Sequence, residues 1–189
     1  MRMQVSQGSL LTPEEQARGE QDVLLLPLWN RIHRDQNLVS GRQYRNHTAT
    51  WYGAVNYAYF NLEHRAQSWS RELGIMADQL GQQVGYPAGY FNCLLANAYT
   101  RKGLAPHADN EAIFRQPDGT IGAVATISLG GATMVTITRN DGSEAPVSFK
   151  IRHGEWYLMP EGHFQDQYQH AVSASSQPRI SLTFRHIHP

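Results

Sequence analysis

Two histidines and one aspartate form the pattern in this chain with the most chemistry in it. His107 and Asp109 stand in the run Leu104-Ala-Pro-His-Ala-Asp-Asn-Glu111, and His170 follows far downstream in Gln165-Asp-Gln-Tyr-Gln-His-Ala-Val172. His-x-Asp with a distant second His is the sequence form of a 2-His-1-carboxylate metal site. Such a set takes one face of an iron ion and leaves other coordination positions open. On a β-strand residues i and i+2 point to the same side, so His107 and Asp109 can converge on one ion. With nine histidines in the chain the pattern also arises by chance, and the plain alternative is a surface His-Asp pair plus an unrelated His.

The final strand adds weight. Arg179-Ile-Ser-Leu-Thr-Phe-Arg185 alternates with period 2, placing Ile180, Leu182 and Phe184 on one face and Arg179, Ser181, Thr183 and Arg185 on the other. Facing water, this would be an ordinary amphipathic edge. Facing a barrel interior, the two arginines would make a receptor for a small dianion, because each guanidinium fork matches a carboxylate.

The order His-x-Asp, His, Arg-x-x-x-x-x-Arg resembles the AlkB-like Fe(II)/2-oxoglutarate-dependent dioxygenase family. Asn97-Ala-Tyr99, Ala125-Thr-Ile-Ser-Leu-Gly130 and Gly154-Glu-Trp-Tyr-Leu-Met-Pro-Glu-Gly162 are similar to three further stretches of that family, and the resemblance runs from about residue 42 to 187. It implies Fe(II) held by His107, Asp109 and His170, with 2-oxoglutarate as cosubstrate and O2 as oxidant. It implies that Arg179 pairs with the far carboxylate of 2-oxoglutarate, that Arg185 lies nearer the carboxylate at the metal, and that Asn97, Tyr99 and Ser181 add hydrogen bonds. Many members have Asn at the position of Ser181. Arg45-Asn-His-Thr-Ala-Thr-Trp-Tyr-Gly53 resembles the family's nucleotide-recognition lid, here about 42–61. Arg45 is then a substrate contact, and Tyr52, with Trp51 beside it, is the ring expected to stack on a base. Glu111, two residues past the metal Asp, would meet the exocyclic amine of a base made cationic by methylation. Gln165 and Tyr168 are candidates to hold the His170 imidazole, and core packing is an equal reading of Tyr168.

The elements that must position these groups are readable by period. Trp69, Leu73, Met76, Leu80 and Val84 make one apolar stripe and predict a supporting helix at about 63–84, ended by Gly85-Tyr-Pro87. From residue 91 the pattern is short strands and turns, with strands expected at 92–99, 104–108, 122–129, 132–138, 146–151, 154–159, 168–173 and 179–187. Periodicity gives a mostly β (α+β) chain. The double-stranded β-helix, or jelly roll, is what the resemblance implies. Residues 1–30 read as an N-terminal extension whose run Val23-Leu-Leu-Leu-Pro-Leu-Trp29 packs on the core, after a helix start at Thr12-Pro-Glu-Glu15; 31–189 read as a single domain.

At 189 residues the chain is one domain in length and can bury a proper core. Its net charge of zero argues against a globally basic nucleic-acid binder, so any such surface is local. One stretch qualifies: 31–47 carries Arg31, Arg34, Arg42 and Arg45 against Asp35 alone, with His33 and His47 besides, and aromatics follow directly at Trp51, Tyr52, Tyr57, Tyr59 and Phe60. Cations for phosphates beside rings for bases suit nucleic acid; core aromatics on two strands are the simpler reading of composition alone. The single Cys93 excludes an internal disulfide and reads as a small buried residue. No run is long and apolar enough to span a membrane and no signal peptide is evident, so an intracellular, soluble protein without a membrane partner is expected, a monomer by default.

Three functions are consistent with this reading. The first is oxidative demethylation of N-alkylated nucleobases, of the 1-methyladenine/3-methylcytosine type, in DNA or RNA, releasing formaldehyde, succinate and CO2, with nucleic acid as partner. The second keeps iron and 2-oxoglutarate but hydroxylates a protein, lipid or small metabolite, since fold does not fix function. The third is a non-catalytic jelly-roll binding module, against which the intact pair Arg179 and Arg185 counts.

Overall fold

Period-2 alternation in the second half of the chain becomes a stack of antiparallel strands. The protein is described here from a computed structural model covering residues 5–12, 14, 32, 42–43, 47–59 and 62–188, with the backbone alone at 42, 43, 59 and 62. Arg45, the run at 23–29 and nearly all of the basic stretch at 31–46 lie outside the described residues.

In chain order the strands are β1 (Ser6–Ser9), β2 (Arg42–Gln43), β3 (His47–Tyr52), β4 (Tyr57–Tyr59), β5 (Leu62–His64), β6 (Cys93–Tyr99), β7 (Leu104–His107), β8 (Val124–Gly130), β9 (Thr133–Arg139), β10 (Val147–Ile151), β11 (Glu155–Met159), β12 (Tyr168–Val172) and β13 (Arg179–Arg185). All eight strands expected after residue 91 are present within a residue or two. A helix α1 (Arg71–Val84) lies between β5 and β6, and a single turn α2 (Phe164–Gln167) precedes β12. The strands form a seven-stranded sheet, β1-β11-β8-β13-β6-β3-β2, a four-stranded sheet, β10-β9-β12-β7, and the hairpin β4-β5. Every strand pair is antiparallel.

β13 sits in the middle of the large sheet and is buried on both faces. Its apolar face joins Leu94, Ala96, Ile127 and Leu129 in a core covered by Leu73, Met76, Ala77 and Leu80 of α1. Each fully buried Leu there contributes about 1.5–3 kcal/mol. Its polar face looks the other way, toward the four-stranded sheet.

The helix is shorter than its apolar stripe suggests. Ser70 accepts a hydrogen bond from Leu73 N at 3.3 Å and caps the N-terminus, while Gly85, at φ +88°, closes the C-terminus in the left-handed region. Residues 62–64 instead pair with 57–59 as β5. Trp69 lies outside the helix yet still reaches the core, edge-on to Phe184 at 6.3 Å. Among the described residues no helix is long and apolar enough to cross a membrane.

Candidate active site

His107 and His170 face each other across the β7–β12 ladder, where they are register partners. Their ring centroids are 4.1 Å apart. β7 ends at His107, so Asp109 is not on the strand as expected but in the irregular segment beyond it. There its amide donates to Gln165 Oε1 at 3.0 Å. The ligand atoms of His107, Asp109 and His170 all lie within 4.8 Å of one another. His107 Nδ1 donates to the Ala105 carbonyl at 2.9 Å, which leaves Nε2 as the free lone pair. Burial, and after it the neighbouring His107, push the His170 imidazole down to about 3, so it is neutral at ordinary pH, as a metal ligand must be. Burial alone would raise the Asp109 carboxyl, but Arg185, then the two histidines, outweigh it and hold the group ionised.

These three residues close one end of a cavity between the two sheets. Its lining includes Asn97, Tyr99, Thr126, Tyr157, Arg179, Ser181, Thr183 and Arg185. The register explains how they meet: on β13 and β6, Arg179 pairs with Tyr99 and Ser181 with Asn97, so the polar face of one strand continues on the next. Arg179 is 2% exposed. Its Nε donates to Ser128 Oγ at 2.8 Å, its Cζ lies 5.4 Å from the Tyr99 ring, and Nη1 and Nη2 make no hydrogen bond to any described residue. At the other end Arg185 Nη2 binds Asp109 Oδ1 at 2.7 Å.

The substrate side differs from expectation. Tyr52 is fully buried beneath α1, opposite Leu94 on the helix-facing side of the sheet, and is not placed to stack on a base. Trp51, one residue earlier and so on the opposite face, is also fully buried, with its ring 4.6 Å from Tyr57 and 6.2 Å from Phe114. Its indole N–H donates to Val55 O at 2.7 Å. Glu111 is reached by Tyr57, a member of the aromatic cluster that the sequence did not link to it: the Tyr57 hydroxyl donates to its Oε1 at 2.6 Å. Glu111 Oε2 is buried without a hydrogen bond to any described residue. His47 is a buried imidazole rather than a surface cation; burial, then His107 and His64, push it down to about 4. Gln165 binds the Asp109 amide and not the His170 imidazole. Tyr168 points its hydroxyl away, donating to Glu144 at 3.1 Å and accepting from Arg139 at 3.2 Å, so it braces a surface loop.

The family model for the 2OG-Fe(II) oxygenase superfamily matches residues 3–185. The chain belongs to that superfamily. Within it the chain is AlkB-like. It is 28% identical over 153 residues to the alpha-ketoglutarate-dependent dioxygenase alkB homolog 3 of Bos taurus, a match covering 74% of this chain and 51% of that protein. It is 32% identical over 130 residues to the RNA-directed RNA polymerase of Lolium latent virus, covering 69% of this chain and 7% of that one. The chain thus spans about half, or much less, of the curated relatives it matches. The solved structure of OsALKBH1 superposes with a TM-score of 0.73 at 13% identity, covering 98% of this chain and 99% of that one, a likeness of fold.

The residues of this oxygenase fit Fe(II) and 2-oxoglutarate. Asp109 Oδ2 and His170 Nδ1 are buried without a hydrogen-bond partner among the described residues, as are both Arg179 terminal nitrogens and Arg185 Nε and Nη1. Leaving so many buried polar atoms unsatisfied is costly. An oxygen-rich dianion bound to a metal at one end and to Arg179 at the other satisfies both sets. Ser128, which orients Arg179, was within sequence reach as part of the Ser-Leu-Gly stretch. Tyr57 was not, since nothing in its neighbourhood points across 54 residues to Glu111.

Proposed function

We propose that this AlkB-like oxygenase is an oxidative demethylase of N-alkylated nucleobases in DNA or RNA, of the 1-methyladenine/3-methylcytosine type, releasing formaldehyde, succinate and CO2. The observation that carries the reading is Glu111: a carboxylate fixed by Tyr57, with one oxygen buried and unspent, two residues beyond the metal-site aspartate. A negative group so placed matches a base that methylation has made cationic, and can accept from its exocyclic amine. A neutral lipid or metabolite has no such need.

Fe(II) with 2-oxoglutarate and O2 supplies oxidation of a C–H bond, here that of the methyl group. The protein's part is placement and exclusion. His107, Asp109 and His170 would hold the metal. Arg179 would take the distal carboxylate of 2-oxoglutarate in a fork that Ser128 has already oriented. Arg185 keeps the Asp109 carboxylate ionised and turned. Asn97, Tyr99 and Ser181 would hydrogen-bond the cosubstrate. A base must be flipped or already single-stranded to reach this depth. Trp51, Tyr57 and Phe114 pack together as one buried aromatic cluster, and its Tyr57 hydroxyl holds Glu111. Arg45 and its basic neighbours would contact phosphates as part of a lid at about 42–61.

The test is turnover of single-stranded oligonucleotides bearing 1-methyladenine or 3-methylcytosine, with succinate and formaldehyde both followed. Formaldehyde rising in step with succinate is expected, and Asp109→Asn should abolish both. Succinate without formaldehyde from any oligonucleotide would overturn the substrate and favour hydroxylation of another molecule.

A further inference from the structure

The segment that carries Asp109 and Glu111 is tied at both ends to consecutive residues of α2. At its start the Asp109 amide donates to Gln165 Oε1 at 3.0 Å. At its end Arg115 grips Asp166 with a fork of two hydrogen bonds, 2.6 and 3.2 Å. α2 runs straight into β12, the strand of His170. From outside, α2 is held by Asn140, whose backbone N donates to Gln167 O at 2.8 Å and whose side-chain amide donates to Asp166 O at 2.9 Å. The two carboxylates and the second histidine therefore share one mount.

Within this mount Gln165 has the least freedom. It is 1% exposed. Its acceptor must be the oxygen, because its partner is an N–H, and its amide nitrogen then lies 3.5 Å from Met159 Sδ. β7 stops at His107, so no strand ladder sets the place of Asp109. Two contacts hold it instead: Gln165 on its backbone amide and Arg185 on its carboxylate.

We propose that Gln165 is a positioning residue for the metal-site carboxylate, fixing the Asp109 segment against the strand that bears His170. This rests on His107, Asp109 and His170 being the metal site. A buried glutamine that merely fills core would alter stability. A positioning residue alters how well the three ligands converge, and that is read in metal affinity.

The test uses Co(II) as probe, titrated into metal-free protein by visible absorption and calorimetry. Gln165→Met keeps the size and removes the acceptor; it is expected to weaken Co(II) binding about 10–100-fold, the usual effect of losing a partner behind a ligand. Gln165→Glu keeps an acceptor oxygen and is expected to recover most of that loss. Should the Met variant not fold, Gln165→Asn, whose amide is one methylene too short to reach, takes its place with the same expected loss. Met or Asn variants that bind Co(II) like the parent, while Asp109→Asn does not, would overturn the positioning role and leave the metal site standing. A loss that Gln165→Glu fails to recover would also overturn it. If Asp109→Asn binds Co(II) like the parent, the metal assignment falls, and this proposal with it.

Discussion

Arg185 and Asp109 form a buried ion pair, Nη2 to Oδ1 at 2.7 Å, at the end of the cavity where the two histidines converge. The aspartate thus faces a cation from the protein on one oxygen and keeps the other unpartnered. Removing it does two things at once. Asp109→Ala strands the Arg185 guanidinium in the core, which costs roughly 3–5 kcal/mol for a broken buried pair. Asp109→Asn keeps an acceptor for Arg185 and is expected to cost less than half as much, while losing metal binding as completely. Denaturant unfolding of both metal-free variants checks this; equal destabilisation would mean that the pair does not support the fold.

Arg179 predicts opposite signs for stability and binding. Its terminal nitrogens make no hydrogen bond to any described residue, and burial presses its pKa down. A buried cation without a counter-charge is a cost to the empty fold. Arg179→Met should therefore leave the melting temperature of the protein without cosubstrate unchanged or higher. It should also raise the 2-oxoglutarate requirement by the loss of a charge-assisted pair, about 2–5 kcal/mol, or some thirtyfold and more. The iron requirement should stay put. Thermal melts with and without 2-oxoglutarate separate the two effects, since only the parent should gain stability from the ligand.

Tyr57 holds Glu111 through its hydroxyl, and Tyr57→Phe removes only that group. A hydrogen bond to a charged group contributes about 1.5–3 kcal/mol. KM for a methylated oligonucleotide should rise by one to two orders of magnitude. Succinate formed without substrate should stay at the parent's level, because neither metal nor cosubstrate is touched. Steady-state kinetics with and without oligonucleotide read both.

The sequence carried this site where chemistry and period coincide, and lost it where only three-dimensional register decides. β13 alternates apolar and polar residues with period 2, which puts Arg179 and Arg185 on one face, and the His-x-Asp…His pattern marks His107 and His170. The apolar stripe overstates α1, because Trp69 continues it by one more step of four although Ser70 caps the helix there. Tyr52 and Trp51 are adjacent aromatics on one strand. Only the pairing of Tyr52 with Leu94 and Trp51 with Leu95 shows that the first lies under α1 and the second on the cavity's side of the sheet. The partner of Gln165 is 56 residues away and is a backbone amide, which no side-chain pattern reveals.

Gly103 gives the last prediction, and it tests the frame rather than the ligands. It precedes β7 where that strand meets β12, and a Cβ there would collide with the Val172 carbonyl and crowd the backbone of Ser173 and Ala174. Backbone on both sides leaves no flexible side chain to move aside, so Gly103→Ala must push the strands apart. Overpacking of this kind costs about 1–3 kcal/mol. The displacement falls on the Leu104–Val172 end of the ladder, three residues along β7 and two along β12 from the His107–His170 pair. The variant should therefore melt lower and bind metal more weakly, whereas Gly119→Ala, at a turn with open space around it, should keep its metal affinity despite the strain of its φ of +83°. Co(II) titration of the two variants decides it: equal affinities would mean that the β7–β12 register does not set the distance between the two histidines.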